Sequence, residues 1–81
     1  MVGPWLRAWR SHMRLRLHEV AGLLGVDPAT VSRWERRKKG PSLGVSLGEV
    51  LDAYGVPEGP LRDLVREESC RLHLGVMHDP E

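Results

Sequence analysis

The residues of this chain with the clearest chemical potential are four consecutive bases near its middle, Arg36, Arg37, Lys38 and Lys39. Like charges in such a run repel one another unless a polyanion neutralises them. Residues 1–40 contain nine bases and three acids, a net charge of +6, whereas residues 41–81 contain three bases and eight acids, a net charge of −5. The overall charge of +1 therefore conceals a basic half suited to a nucleic-acid partner. The alternative explanation of the run is a solvated helix end, where cations complement the helix dipole.

Other chemistries lack the side-chain groupings that they require. No Ser, His and Asp set suggests a nucleophilic site, so we expect no enzyme. Cys70, His73, His78 and Asp79 match no standard zinc spacing, and no phosphate-binding glycine loop is present, so we expect no metal and no cofactor. One cysteine excludes an internal disulfide. Because no apolar stretch suits a signal peptide or a membrane span, we expect a cytoplasmic protein that contacts no membrane.

Five short helical segments are predicted to position these residues. Apolar spacing and helix-boundary residues place them at about 4–14, 17–24, 28–37, 46–54 and from residue 60 onwards. Pro4 is expected near the first helical position of its segment, and Asp27 with Pro28 predicts a capped start to the third. No alternating pattern bounded by hairpin turns predicts a strand. The sequence therefore predicts one all-α domain over residues 1–74, followed by a C-terminal tail over residues 75–81.

The second and third segments have the spacing of a helix-turn-helix. Ala21 is small enough to let two helices approach closely, and Gly25 can supply a left-handed turn four residues later. In such a motif the second helix enters the major groove of DNA. The residues expected to form the core of the motif are Val20, Ala21, Leu24, Gly25, Val26, Val31 and Trp34.

The stretch LRAWRSHMRLRLHEVAGLLGVDPATVSRWERRKKGPS resembles the lambda-repressor-like (Xre-type) helix-turn-helix family. Its most specific part is GVDPATVSRWE, and the later segment SLGEVLDAYGV is similar to the fourth helix of that family. The resemblance covers about residues 5–65. It implies a compact five-helix domain with the helix-turn-helix at helices 2 and 3, which binds operator DNA, commonly as a homodimer.

The resemblance also implies which residues contact DNA. Those expected at base edges are Pro28, Ala29, Ser32 and Arg33. Arg33 is the strongest candidate, because its guanidinium can bond guanine O6 and N7 together, which is worth about 1–3 kcal/mol of discrimination. A phosphate contact or a solvated position is the alternative for Arg33. The residues expected at phosphates are Thr30, Arg36, Arg37, Lys38, Lys39, Arg14 and Arg16. Glu35 is expected to pair with a nearby arginine.

Three positions depart from the family pattern. Leu17 stands where a glutamine usually opens the second helix and braces a base-reading side chain. Arg16 replaces the usual Ser or Thr cap, at a cost of about 1 kcal/mol, and Arg14 stands where the preceding turn often has glycine. Because both arginines add charge on the DNA side, we expect more backbone contact, less direct base readout and a contribution from DNA shape.

The fifth segment has an apolar stripe that predicts either a dimer interface or the completion of the core: Leu61, Leu64, Val65 and Leu72. The sequence as a whole predicts a sequence-specific regulator of double-stranded DNA, a bacterial or phage repressor that occupies its operator as a homodimer. Two alternatives stay open. One is an antitoxin that binds a toxin protein and represses its own operon, and the other is a protein-interaction module that contacts the transcription machinery.

Overall fold

Five α-helices form the part of the chain that a computed structural model describes, residues 1–42 and 44–78 with side chains up to residue 73. The helices are α1 (Val2–His12), α2 (Leu17–Leu24), α3 (Pro28–Arg36), α4 (Leu47–Ala53) and α5 (Pro60–His78). None of the described residues forms a strand, so the all-α, five-helix prediction is confirmed. Among these helices, none combines the length and apolar character that crossing a bilayer requires.

Local signals define the boundaries of the helix-turn-helix. Gly25 ends α2 with a left-handed φ of 68°, a conformation that glycine adopts without steric cost. The Asp27 carboxylate then accepts a hydrogen bond from the Ala29 amide at 2.9 Å, which caps α3, and Pro28 is the first residue of that helix. The predicted start of α3 is therefore confirmed.

The start of α2 is capped differently from the expectation. Arg16 makes no side-chain cap, as its replacement of Ser or Thr predicts. The Glu19 carboxylate accepts a hydrogen bond from the Arg16 amide at 2.8 Å instead. This is one half of a capping box, so Glu19 offsets part of the cost expected from the missing cap.

Two helices extend beyond the bounds expected from the sequence. The helix α1 begins at Val2, which makes Pro4 its third residue rather than its first, because the Val2 amide donates to the Lys38 carbonyl at 2.8 Å and holds the first turn in place. It ends before Arg14, whose φ of 58° is left-handed. The helix α5 continues through residue 75, where the tail was predicted to begin, to His78, since one interior glycine costs only about 1 kcal/mol.

The core lies between α3 and the helices packed around it. The helix α3 packs against both α1 and α2, α4 packs against α2, and α5 packs against α1. Trp9 joins α1 to the end of α4, because its indole donates to the Tyr54 carbonyl at 2.9 Å, and its ring stacks on Trp5 at 5.5 Å. The buried apolar residues are Val2, Leu6, Val20, Ala21, Val31, Trp34, Val50, Leu51, Ala53, Tyr54, Val56 and Val65.

The N-terminal turn of α1 lies directly on the backbone at the end of α3. A Cβ atom at Gly3 would overlap the carbonyl oxygens of Trp34 and Arg37. Glycine at this position therefore permits an approach of α1 to the end of α3 that no other residue could make.

Candidate nucleic-acid interface

The helix α3 presents two different faces. Val31, Trp34 and Glu35 are buried against the rest of the domain. Among the four residues predicted to read bases, Pro28, Ala29 and Arg33 are exposed and Ser32 is half-buried. The core face holds the helix in place, so the outer face is free to enter a groove of DNA without unfolding the domain.

Arg33 is oriented on the outer face by its own helix. Its guanidinium donates to the Thr30 hydroxyl at 3.2 Å, one turn earlier in α3. This contact between exposed groups leaves the remaining guanidinium N–H groups free to donate elsewhere. Thr30 itself is half-buried, and its hydroxyl accepts this hydrogen bond.

A buried network holds α3 against two neighbouring elements. Arg10 of α1 donates to both oxygens of Glu35, from Nε at 2.8 Å and from a terminal nitrogen at 3.0 Å. The Tyr54 hydroxyl, at the end of α4, donates to Glu35 at 2.6 Å, and Arg10 also donates to the Leu15 carbonyl at 2.9 Å. The predicted pairing of Glu35 with an arginine is confirmed.

Burial and hydrogen bonding set the charge states within this network. Burial raises the pKa of Tyr54 well above its usual value, and the hydrogen bond to Glu35 raises it further. The same carboxylate raises the pKa of Arg10 through their hydrogen bond. At neutral pH, Tyr54 is therefore a neutral donor and Arg10 a cation, so the charge of Glu35 is neutralised inside the domain.

The bases predicted to contact phosphates lie on exposed connections around α3. Arg36 and Arg37 end the helix, Lys38 is exposed and Lys39 is half-buried. Arg14 and Arg16 are exposed on the turn between α1 and α2. The left-handed backbone of Arg14 occupies the position where the family pattern often has glycine, which explains that preference.

A cleft between α1 and α3 brings two of the predicted residues together, Ser32 and Arg36, with Leu17 at the start of α2. Arg14, Arg16, Lys38 and Lys39 do not line it. It also contains Arg7, a residue that contributes to the basic charge of the first half but was not predicted to belong to a site. Spacing along the sequence did not indicate Arg7, because the cleft forms only where α1 packs against α3.

The stripe predicted on α5 is divided between the core and the surface. Val65 is buried, Leu61 and Leu72 are half-buried, and Leu64 is 62% exposed. Leu61 and Leu64 line an apolar groove between α1 and α5, whose other wall includes Trp5. The stripe therefore completes the core in part and leaves an apolar surface in part.

Two of the C-terminal residues that could have suggested a metal site, Cys70 and His73, lie in the described part of α5. Cys70 is exposed, and the His73 ring nitrogen lies 3.2 Å from the Pro41 carbonyl. The side chain of His78 and the whole of Asp79 lie outside the described residues. His73 therefore has a structural contact that links α5 to the turn after the basic run.

Comparison with known proteins gives a family match. A family model for a helix-turn-helix domain matches residues 3–65. The match begins in α1 and ends in the second turn of α5, so it includes the motif, the basic run and the Arg10–Glu35 pair. Neither a curated protein nor a solved structure gives a significant match to the chain.

Proposed function

Because the chain belongs to the helix-turn-helix domain family, we propose that it is a sequence-specific regulator of duplex DNA that represses transcription by occupying an operator. The observation that carries this proposal is the division of α3 into a buried face and an exposed face that includes Arg33. The helix would lie in the major groove, where base edges present distinct donor and acceptor patterns. The proposed role involves no catalysis and is exercised in the cytoplasm, on the DNA.

The outer face of α3 supports modest direct readout. Arg33 would bond the O6 and N7 atoms of a guanine, and Ala29 would contact a thymine methyl group. Ser32 can donate or accept, whereas Pro28 offers only an apolar surface. With so few hydrogen-bonding readers, we infer that DNA shape and deformability supply part of the specificity.

The bases around α3 would bind the DNA backbone on both sides of the groove. Those at and after the end of α3 are Arg36, Arg37, Lys38 and Lys39, and those before α2 are Arg14 and Arg16. The acids of α5 include Asp63 and Glu67, both exposed. Placing them away from the DNA avoids repulsion and orients the molecule during its approach.

A homodimer would use the apolar groove between α1 and α5. Leu64 is the most exposed apolar residue among the α5 side chains that the structure describes, and the half-buried Trp5 and Leu61 line the same groove. A second copy that covers this surface would set two α3 helices about one turn of DNA apart, roughly 34 Å, over a near-palindromic site. Leu64→Glu is expected to yield a monomer in sedimentation analysis. A monomeric wild-type protein would refute this interface.

Selection from a pool of random duplexes is the test of the proposed function. We expect an enriched motif that contains guanine, and a pool with no enriched sequence would overturn the proposal. Arg33→Ala is expected to relax preference at one base position, by about 5- to 150-fold for a bidentate contact of 1–3 kcal/mol. An equal loss of affinity on every sequence would make Arg33 a phosphate contact.

The basic run has its own test and a matched control. Lys38→Ala combined with Lys39→Ala should weaken binding to all duplexes. Each lost phosphate contact should also reduce the steepness of the plot of log affinity against log salt concentration, the salt slope, by about 0.9. Arg66→Ala removes an exposed arginine from α5 and should leave the slope unchanged. An unchanged slope in the double lysine variant would refute its phosphate role.

An exposed apolar residue on α2 favours a second candidate, a module that binds a protein. Leu23 is 73% exposed and lines a groove between α2 and α4 with Glu49 and Asp52. Such a surface would bind either a toxin or a component of the transcription machinery. If the chain is a protein-binding module, Leu23→Ser should abolish binding of that partner. If it is a DNA-binding regulator, Leu23→Ser should leave the result of duplex selection unchanged.

A further inference from the structure

The cleft between α1 and α3 contains two arginines on opposite walls. Arg7 comes from α1 and Arg36 from the last turn of α3, and both are exposed. They line two adjoining cavities, one of which reaches Leu17 and Ser32 and the other Ser11. Two cations that face the same space repel each other, so this arrangement favours an anion between them.

The acid that lines this cleft already has hydrogen-bond partners. Glu35 lines both cavities, but its oxygens accept hydrogen bonds from Arg10 and Tyr54. Its side chain is only 3% exposed, and the Arg10 guanidinium neutralises it. Within the described residues, neither Arg7 nor Arg36 forms an ion pair. The cleft is therefore electropositive, with two guanidinium groups whose donors have no acidic partner in that part of the chain.

We propose that Arg7 and Arg36 bind one and the same backbone phosphate of duplex DNA, from opposite sides of the α1–α3 cleft. A guanidinium fork matches the oxygens of a phosphodiester, and two forks can share one phosphate. The cleft borders α3, so this phosphate would lie at the edge of the groove that α3 enters. The inference rests on the proposed function and adds α1 to the surface that contacts DNA.

A shared phosphate predicts non-additive effects of the two arginines. Each phosphate contact contributes about −0.9 to the slope of log affinity against log salt, so Arg7→Ala and Arg36→Ala should each reduce the slope by up to about 0.9. The double variant should also reduce it by about 0.9 rather than 1.8, because only one phosphate is lost. The ratio of double-variant to wild-type Kd should accordingly fall about 3.5-fold between about 50 and 200 mM salt.

The experiment measures duplex binding of the full chain over this salt range, with one random-sequence duplex as the probe. Arg66→Ala is the control for net charge, and Arg7→Lys should retain the slope because the charge is kept. Thermal unfolding checks that each variant is folded, which the exposure of both positions favours.

Three results would overturn the inference. Unchanged affinity together with an unchanged slope in Arg7→Ala would mean that α1 does not contact DNA, whereas a reduction of about 1.8 in the double variant would mean two separate phosphates. An equal change in Arg66→Ala would show an effect of net charge alone. A wild-type protein that binds no duplex would instead overturn the proposed function, and this result is seen before any variant is compared.

Discussion

Replacing Glu35 by glutamine is expected to destabilise the domain by about 3 kcal/mol, because the change leaves the Arg10 guanidinium without its counter-charge. The side chains of Arg10 and Glu35 are 15% and 3% exposed, so water can replace little of the lost interaction. Removing one partner of a buried pair costs about 3–5 kcal/mol. The lower value applies here because Arg10 keeps some water and its bond to the Leu15 carbonyl. The Tyr54 hydroxyl can still donate to the amide oxygen of glutamine.

The expected loss is large relative to the stability of a domain of 81 residues, which is about 4–12 kcal/mol. It corresponds to a fall in Tm of roughly 12–24 °C at 4–8 °C per kcal/mol. Thermal and urea unfolding followed by circular dichroism measure this difference. Glu68→Gln is the matched control, because its ion pair with Arg71 lies at the surface and should matter little.

A second substitution tests the physical reason. Arg10→Met in the Glu35→Gln background removes the unpaired cation and should recover at least about 1.5 kcal/mol relative to Glu35→Gln alone. A fall in Tm of less than about 5 °C in Glu35→Gln would refute the argument. The argument would also be refuted if the changes in unfolding free energy of the two single substitutions simply added in the double variant, since stability would then not depend on the pairing of these charges.

Three further predictions concern other parts of the fold. Gly3→Ala should cost about 3 kcal/mol or more, because the new Cβ overlaps the backbone carbonyl of Arg37. Gly22→Ala meets no neighbour and should stabilise α2 by about 0.5–1 kcal/mol. Urea unfolding compares the two variants, and changes in unfolding free energy of the same sign would contradict the packing argument. Because the pKa of Tyr54 is raised on folding, the contribution of Tyr54 to stability should be constant below about pH 9 and fall above about pH 10 by up to about 1.4 kcal/mol per pH unit. Since Tyr54 is the only tyrosine, its phenolate absorbance should appear together with unfolding, and ionisation of the folded protein near pH 10 would contradict the burial. Asp27→Ala should cost about 1 kcal/mol through loss of the α3 cap, whereas Asp27→Asn should cost little because asparagine also caps helices. Thermal unfolding measures both variants. Equal losses of stability would assign the effect to the charge of Asp27 instead.

The parts of the fold that could be predicted are those determined by neighbours in the sequence. Gly25 ends α2 and Asp27 caps α3 through interactions within four residues, so the amino-acid sequence alone indicates the helix-turn-helix. The burial of Trp34 follows from helical spacing in the same way. The pairing of Glu35 with an arginine could be predicted, but spacing alone did not show that the arginine is Arg10.

The remaining features depend on contacts between distant residues. The helix α1 begins earlier than expected because Val2 bonds to Lys38, thirty-six positions away along the chain. Arg7 is a candidate only because α1 and α3 form the two walls of one cleft, which the sequence does not indicate. The division of the α5 stripe between core and surface likewise depends on how α1 packs against it, which no local pattern determines.

The left-handed backbone of Arg14 opposes domain stability to the phosphate contact proposed for this residue. An L-residue with a side chain pays roughly 1–2 kcal/mol for this conformation, and glycine avoids that strain while losing some unfolded-chain entropy. Arg14→Gly should therefore give a more heat-resistant domain, or at worst an equally stable one, without the positive charge of the proposed phosphate contact. A protein engineer who wants a robust scaffold would choose glycine at this residue, whereas one who wants that contact would keep the arginine.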